Sequence, residues 1–127
     1  MPAHTDRYDS AVARYFEAWN TREPEALARA VATAWSPQGG YTDPLADVRG
    51  HEGIVAVVSA AHARFPGFVF RLTGSVEGHH DTARFSWELV SEADGSAPVA
   101  GSDVITLDPE GRITSVLGFL DRVPAEA

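Results

Sequence analysis

From Thr5 to about Asn20 the apolar side chains Tyr8, Val12, Tyr15, Phe16 and Trp19 recur at spacings of three and four, which predicts an amphipathic helix. Asp6 and Asp9 near its start suit the positive end of the helix dipole. Pro24 fits the first turn of a second helix carrying Leu27, Val31 and Ala34, which Pro37 and the Gly39-Gly40 pair bring to an end. A short "YTD" strand follows, and a third helix from about Glu52 buries Ile54, Val57, Val58, Ala61 and Phe65 until Pro66-Gly67 stops it. Beyond Gly67 the period becomes two. "FVFRLTG", "TARFSWELV", "PVAGSDVITL" and "RITSVLGFLD" read as strands, joined by turns at "GHHD", "ADGS" and "DPEG". Helices first and antiparallel strands second predict an α+β fold, with the helices on one face of a meander whose curvature leaves a pocket between them.

Composition narrows what such a fold does. A chain of 127 residues is expected to form one domain, spanning 1–127, with a single core and room for one small-molecule pocket. Eighteen acidic against ten basic side chains give a formal charge of −8, without a basic cluster, which argues against nucleic acid and against an anionic membrane surface as partners. Cysteine is absent, so thiolate and disulfide chemistry are excluded. "MPAHTDRYDSAV" has no apolar signal core and no window reaches the length of a membrane span, so a cytoplasmic protein is expected. The final "PAEA" reads as a frayed tail.

Two carboxylates stand out. Asp43 lies between the "YTD" strand and Pro44, where it either forms a turn or places a base at the mouth of a cavity. Asp103 shares its alternation phase with Val99, Gly101, Ile105 and Leu107, an apolar row on which an unpaired charge is costly; the opposite phase, with Ser102, Val104 and Thr106 inward, leaves Asp103 in water. Tyr15, on the apolar stripe of the first helix, is expected to pack in the core with its hydroxyl satisfied at the rim.

Other motifs carry less. "HEGIV" begins like a zinc helix but has Val55 where the second histidine belongs. His51 and His62 share a helix face about 16 Å apart, at 1.5 Å rise per residue, too far to share a metal. His79 and His80 suit a hairpin turn, with His80 a possible pocket acid or base. Ser10, Ser59 and Ser86 lack a nucleophile-elbow context. Arg71 and Arg84 decorate the polar face of the sheet or meet a substrate carboxylate.

The run "VARYFEAWNTREPEALARAVA", then "YTDP", "RGHEGI" and "SDVITLDPEGRI", resembles the SnoaL-like branch of the nuclear transport factor two superfamily, which also contains the ketosteroid isomerases. The resemblance spans nearly the whole chain. It implies a cone-shaped, cystatin-like fold, with three N-terminal helices in the concave face of a curved antiparallel sheet around a deep apolar cavity, and Asp103 turned inward. Trp19, Trp35, Val58, Phe65, Phe85, Trp87 and Phe119 are expected to line that cavity. By likeness to the isomerases, Asp43 matches the proton-shuttling aspartate, while Tyr15 and a protonated Asp103 match the two donors to an enolate oxygen. Members of the family also cyclise polyketides or hydrate and hydrolyse small molecules. The expected function is therefore acid/base chemistry beside a carbonyl, isomerisation or aldol-type cyclisation of a small apolar or carbonyl-containing molecule, without metal or organic cofactor. The alternative is a noncatalytic module that binds an apolar ligand or dimerises. A homodimer through the outer sheet face, with Val104 or Val116 exposed, is expected in either case.

Overall fold

The computed structural model describes residues 3–124, with side chains from Arg7 onward; Ala125–Ala127 of the expected frayed tail and the Asp6 side chain lie outside the described residues. Helix α1 (Ala3–Asn20) buries Tyr8, Val12, Tyr15 and Trp19 of the stripe anticipated for it, together with Ala11 and Ala18, while Phe16 is half-buried at its edge. Helix α2 (Pro24–Ala34) starts at a capping Glu23, whose carboxylate accepts the Ala26 N–H at 2.8 Å, with Pro24 in the first turn. Leu27, Val31 and Ala34 face the core. Helix α3 (His51–Arg64) fully buries Ile54 and Val58, whereas Val57, Ala61 and Phe65 are half-buried at its flank. Gly67, at φ 81, turns the chain out of this helix in a conformation that a side chain would strain.

Six strands form one sheet in the order β2-β1-β6-β5-β4-β3. Strands β3 (Phe68–His79), β4 (Thr82–Ser91), β5 (Val99–Leu107) and β6 (Ile113–Arg122) are the expected antiparallel meander. The sequence reading missed a strand. "YTD" belongs to β1 (Gly40–Asp43), which pairs antiparallel with β2 (Ala46–Arg49) and meets β6 in parallel register at Thr42 and Leu117. The hairpin therefore extends the meander at its C-terminal strand. The three helices cover one face of this curved, unclosed sheet, as expected.

Three register shifts interrupt the meander, one in β3 and two in β6, the second of these at Asp121. In β3 the register with β4 shifts between Thr73 and Glu77, around Gly74 at φ 72. In β6 the partners step from Leu107↔Ile113 to Thr106↔Ser115, so Thr114 is an extra residue. That bulge reverses the alternation. Val116, expected outside, is buried, while Phe119, expected in the cavity, is 60% exposed on the outer face opposite Ser102.

Two glycines admit aromatic rings. A Cβ on Gly78 would lie 2.5 Å from the Tyr8 ring, and one on Gly101 would lie 2.3 Å from Trp87, its cross-strand neighbour. Helix α1 thus rests directly on β3.

Candidate functional site

The site is assembled by cross-strand register. Asp103 is inward on β5, on the row with Val99, Gly101, Ile105 and Leu107, and is only 2% exposed. Gly118 is its partner on β6, and Asp43 ends the adjacent β1. The junction is tight: a Cβ on Gly118 would sit 2.8 Å from Asp103 Oδ1 and 3.4 Å from Asp43 Cβ. A side chain at position 118 would press on both acidic residues at once.

Each carboxylate has a tyrosine. Tyr15, delivered by α1, donates its hydroxyl to Asp103 Oδ2 at 2.6 Å. Tyr41, two residues before Asp43 and so on the same face of β1, donates to Asp43 Oδ2 at 2.6 Å. Asp43 Oδ1 accepts the backbone N–H groups of Leu45 at 2.8 Å and Ala46 at 2.9 Å. The turn-forming role of Asp43 is thus present, and it coexists with placement beside Asp103.

Burial pushes the Asp103 carboxyl up to about 6, opposed by the Tyr15 hydroxyl and the Trp87 indole that face it, and reinforced by the charges of Asp43 and Asp121. The direction agrees with the expectation of a proton-holding Asp103. The extent is smaller: at about 6 the carboxyl keeps its proton only in mildly acidic solution and is mostly ionised at pH 7, so the protonated form implied by the resemblance is not the prevailing one at neutrality. Tyr15 is raised well above the ordinary tyrosine range by burial and then by Asp103. Tyr41 is raised as well, through burial and then its bond to Asp43. Both phenols therefore remain donors.

Rings fill the cone around this cluster. The Tyr15 ring lies 5.4 Å from Phe85, 5.5 Å from Trp35 and 6.2 Å from Trp19, while Trp19 is 4.8 Å from Phe70, which in turn is 5.3 Å from Trp87. Of the residues expected to line a deep cavity, Trp19, Trp35, Phe85 and Trp87 surround the cluster as packed rings. Val58 is fully buried in α3, Phe65 packs on Phe68, and Phe119 is excluded by its outward position. Two surface grooves lie elsewhere, one of about 360 Å³ between the β1–β2 hairpin and β6, lined by Thr42, Arg49 and Leu117, the other between α1 and α2.

The remaining candidates lie away from this cluster. His80 is exposed at φ 50 in the β3–β4 turn, where its carbonyl accepts the Tyr8 hydroxyl at 2.7 Å, so it does not line the interior. Arg84 pairs with Glu77 at 2.7 Å, and Arg71 is exposed opposite Glu88. His51 lies 3.0 Å from the Trp35 carbonyl and His62 lies 2.7 Å from the Trp19 carbonyl. Among the described residues, no three His, Asp or Glu side chains gather as metal ligands. Tyr41 is the member of the cluster that the sequence reading missed; its spacing of two from Asp43 was the available signal.

Helices on one face of a curved sheet, with acidic and phenolic groups meeting beneath them, define an α+β protein of the cystatin-like, nuclear transport factor two-like class. Within that class the chain belongs to the SnoaL-like domain family, whose model matches residues 12–116. A solved structure described as a candidate isomerase of the SnoaL-like family, from Agrobacterium tumefaciens strain C58, is 40% identical over 91% of this chain and 98% of its own, with a TM-score of 0.86. A candidate SnoaL-like polyketide cyclase from Jannaschia sp. CCS1 is 18% identical over 91% of this chain and 86% of its own (TM-score 0.74). A protein of unknown function with a cystatin-like fold, from Methylobium petroleophilum PM1, is 14% identical over 96% of this chain and 80% of its own (TM-score 0.72). The last two likenesses concern the fold alone. No curated protein matches the chain. Among the described residues, no helix is long and apolar enough to cross a membrane.

Proposed function

We propose that this chain is a small-molecule enzyme that moves a proton beside a carbonyl, in an isomerisation or an aldol-type cyclisation, with Asp43, Tyr15 and Asp103 as its reacting groups and no metal or organic cofactor. The observation that carries this reading is the convergence of two carboxylates, each with its own tyrosine hydroxyl, at Gly118 beneath the helices. Such a set supplies a proton acceptor and fixed donors, the two things enolate formation needs. Asp43 takes the proton from carbon, the C–H electron pair moves into an enolate, and the Tyr15 hydroxyl receives the negative oxygen. Asp103, when protonated, is the second donor. Return of the proton to another carbon gives an isomer; attack of the enolate carbon on a second carbonyl gives a ring. The 40% identical relative is described as a candidate isomerase, which is in keeping with the isomerisation reading.

Exchange of an α-proton for deuterium in candidate ketones tests it. Asp43→Asn should retain the fold and ligand affinity but slow exchange by roughly 10²- to 10⁴-fold, because the amide accepts no proton. Exchange at near the wild-type rate in this variant would remove Asp43 as the acceptor. The packed rings around Tyr15 favour a second reading, a noncatalytic module that holds an apolar ligand. Saturable binding without exchange would select it.

A further inference from the structure

A carboxylate offers about four acceptor positions, two on each oxygen. At Asp43 three of them are filled from its own hairpin. Oδ1 takes both of its donors from the turn, the backbone N–H groups of Leu45 at 2.8 Å and Ala46 at 2.9 Å. Oδ2 has one donor, the Tyr41 hydroxyl at 2.6 Å. The two oxygens are therefore unequal. A proton arriving on Oδ1 has to displace an N–H that anchors the turn, whereas Oδ2 keeps one position open beside its tyrosine.

Tyr41 is fixed in place. It is 4% exposed, its ring packs on Trp19 at 5.6 Å, and it shares a face of β1 with Asp43, which ends the strand and is only half-buried. Among the described residues no basic side chain is paired with Asp43, so its donors are all neutral. The charged group that faces it is Asp103 on β5, itself bonded to Tyr15 from α1. Asp47 on β2 lies on the opposite face, where it accepts the Thr42 hydroxyl at 2.9 Å.

We propose that Tyr41 is a positioning residue for the proton transfer assigned to Asp43, holding Oδ2 as the oxygen that takes the proton and setting how firmly that oxygen keeps it. This rests on the carbonyl chemistry proposed above. Tyr41 itself does not touch the substrate. Its hydroxyl stabilises the carboxylate before transfer and fixes its orientation. As Oδ2 takes the proton, the C–H electron pair stays on the enolate, and the Tyr41 bond changes from a charge-assisted one to a weaker, neutral one.

Tyr41→Phe keeps the ring and removes the hydroxyl. The variant is made in an Asp103→Asn parent, in which the neighbouring carboxyl does not titrate, and is compared with that parent. The acid limb of α-proton exchange in cyclohexanone should move to higher pH by about one unit, the tenfold weight of one hydrogen bond, because a carboxylate without this donor takes a proton more readily. The ketone concentration for half-maximal exchange should stay the same. An acid limb at unchanged pH would overturn the proposal. Carbon-13 spectra of the wild-type chain read the same tie without turnover, since the Tyr41 Cζ signal should titrate in step with the Asp43 carboxyl signal. A Tyr41 signal that stays still while Asp43 titrates overturns the proposal too, even where Tyr41→Phe fails to fold. If the wild-type chain exchanges no α-proton of the ketone, the carbonyl reading falls and the positioning role with it, while the carbon signals still decide the hydrogen bond.

Discussion

At position 103 a single carboxyl group ties stability to pH. Its folded value of about 6 lies above the ordinary aspartate value of 3.8, owing to burial, with Tyr15 and Trp87 opposing and Asp43 and Asp121 adding to the shift. The native state thus holds this proton more tightly than the unfolded chain does. Its contribution to stability is complete at low pH and is lost as pH rises through the folded value. The gap corresponds to about 3 kcal/mol at 1.36 kcal/mol per unit. Asp103→Asn cannot ionise, so relative to wild type it should gain stability between pH 4 and pH 7.5, by up to about that amount. Urea unfolding of both proteins at the two pH values checks this, and an unchanged difference would deny the buried position its electrostatic cost. The residue was legible in the sequence because its alternation phase coincides with an apolar row. Tyr41 was not legible, because a strand of four residues alternates too briefly to show that Tyr41 and Asp43 share a face.

Among the elements, the hairpin of β1 and β2 does most to build the site, and it was the least visible. "ADVR" is four residues long, alternates half-buried Ala46 and Val48 with exposed Asp47 and Arg49, and follows a proline, so its period of two is too brief to separate from a loop. The long helices and the four meander strands were legible because each repeats its period several times. In β6 the extra residue Thr114 breaks that repetition, and counting by twos from Ile113 then places Val116 outside and Phe119 inside, the reverse of what is found. The meeting of β1 and β6 makes its own prediction. Gly118→Ala puts a methyl 2.8 Å from Asp103 Oδ1 and 3.4 Å from Asp43 Cβ. It should destabilise the fold by about 1–3 kcal/mol through overpacking and, by parting the two carboxylates, depress α-proton exchange. Denaturant midpoints and deuterium exchange in ketones measure the two effects separately. Full exchange activity would show that close approach of Asp43 and Asp103 is dispensable.

On the scale of the molecule, the outer face of the sheet shows Leu117 at 49% and Phe119 at 60% exposure, with Val104 half-buried opposite Leu117. Apolar side chains of this size in a chain of charge −8 fit association of this face with a second copy. Light scattering at micromolar concentration should give the mass of a dimer, and Phe119→Asp should give that of a monomer; a monomeric wild type would refute the association. The order β2-β1-β6-β5-β4-β3 has a consequence for the time course of folding. Strand β1 has its long-range partner, β6, 75 residues later in the chain, as the pairing of Thr42 with Leu117 shows. Residues 40–49 have helix partners early in the chain, as Tyr41 packs on Trp19 at 5.6 Å, but their place in the sheet stays open until β6 is made. Asp43 therefore meets the Gly118 junction only once the most sequence-distant pairing of the sheet is in place.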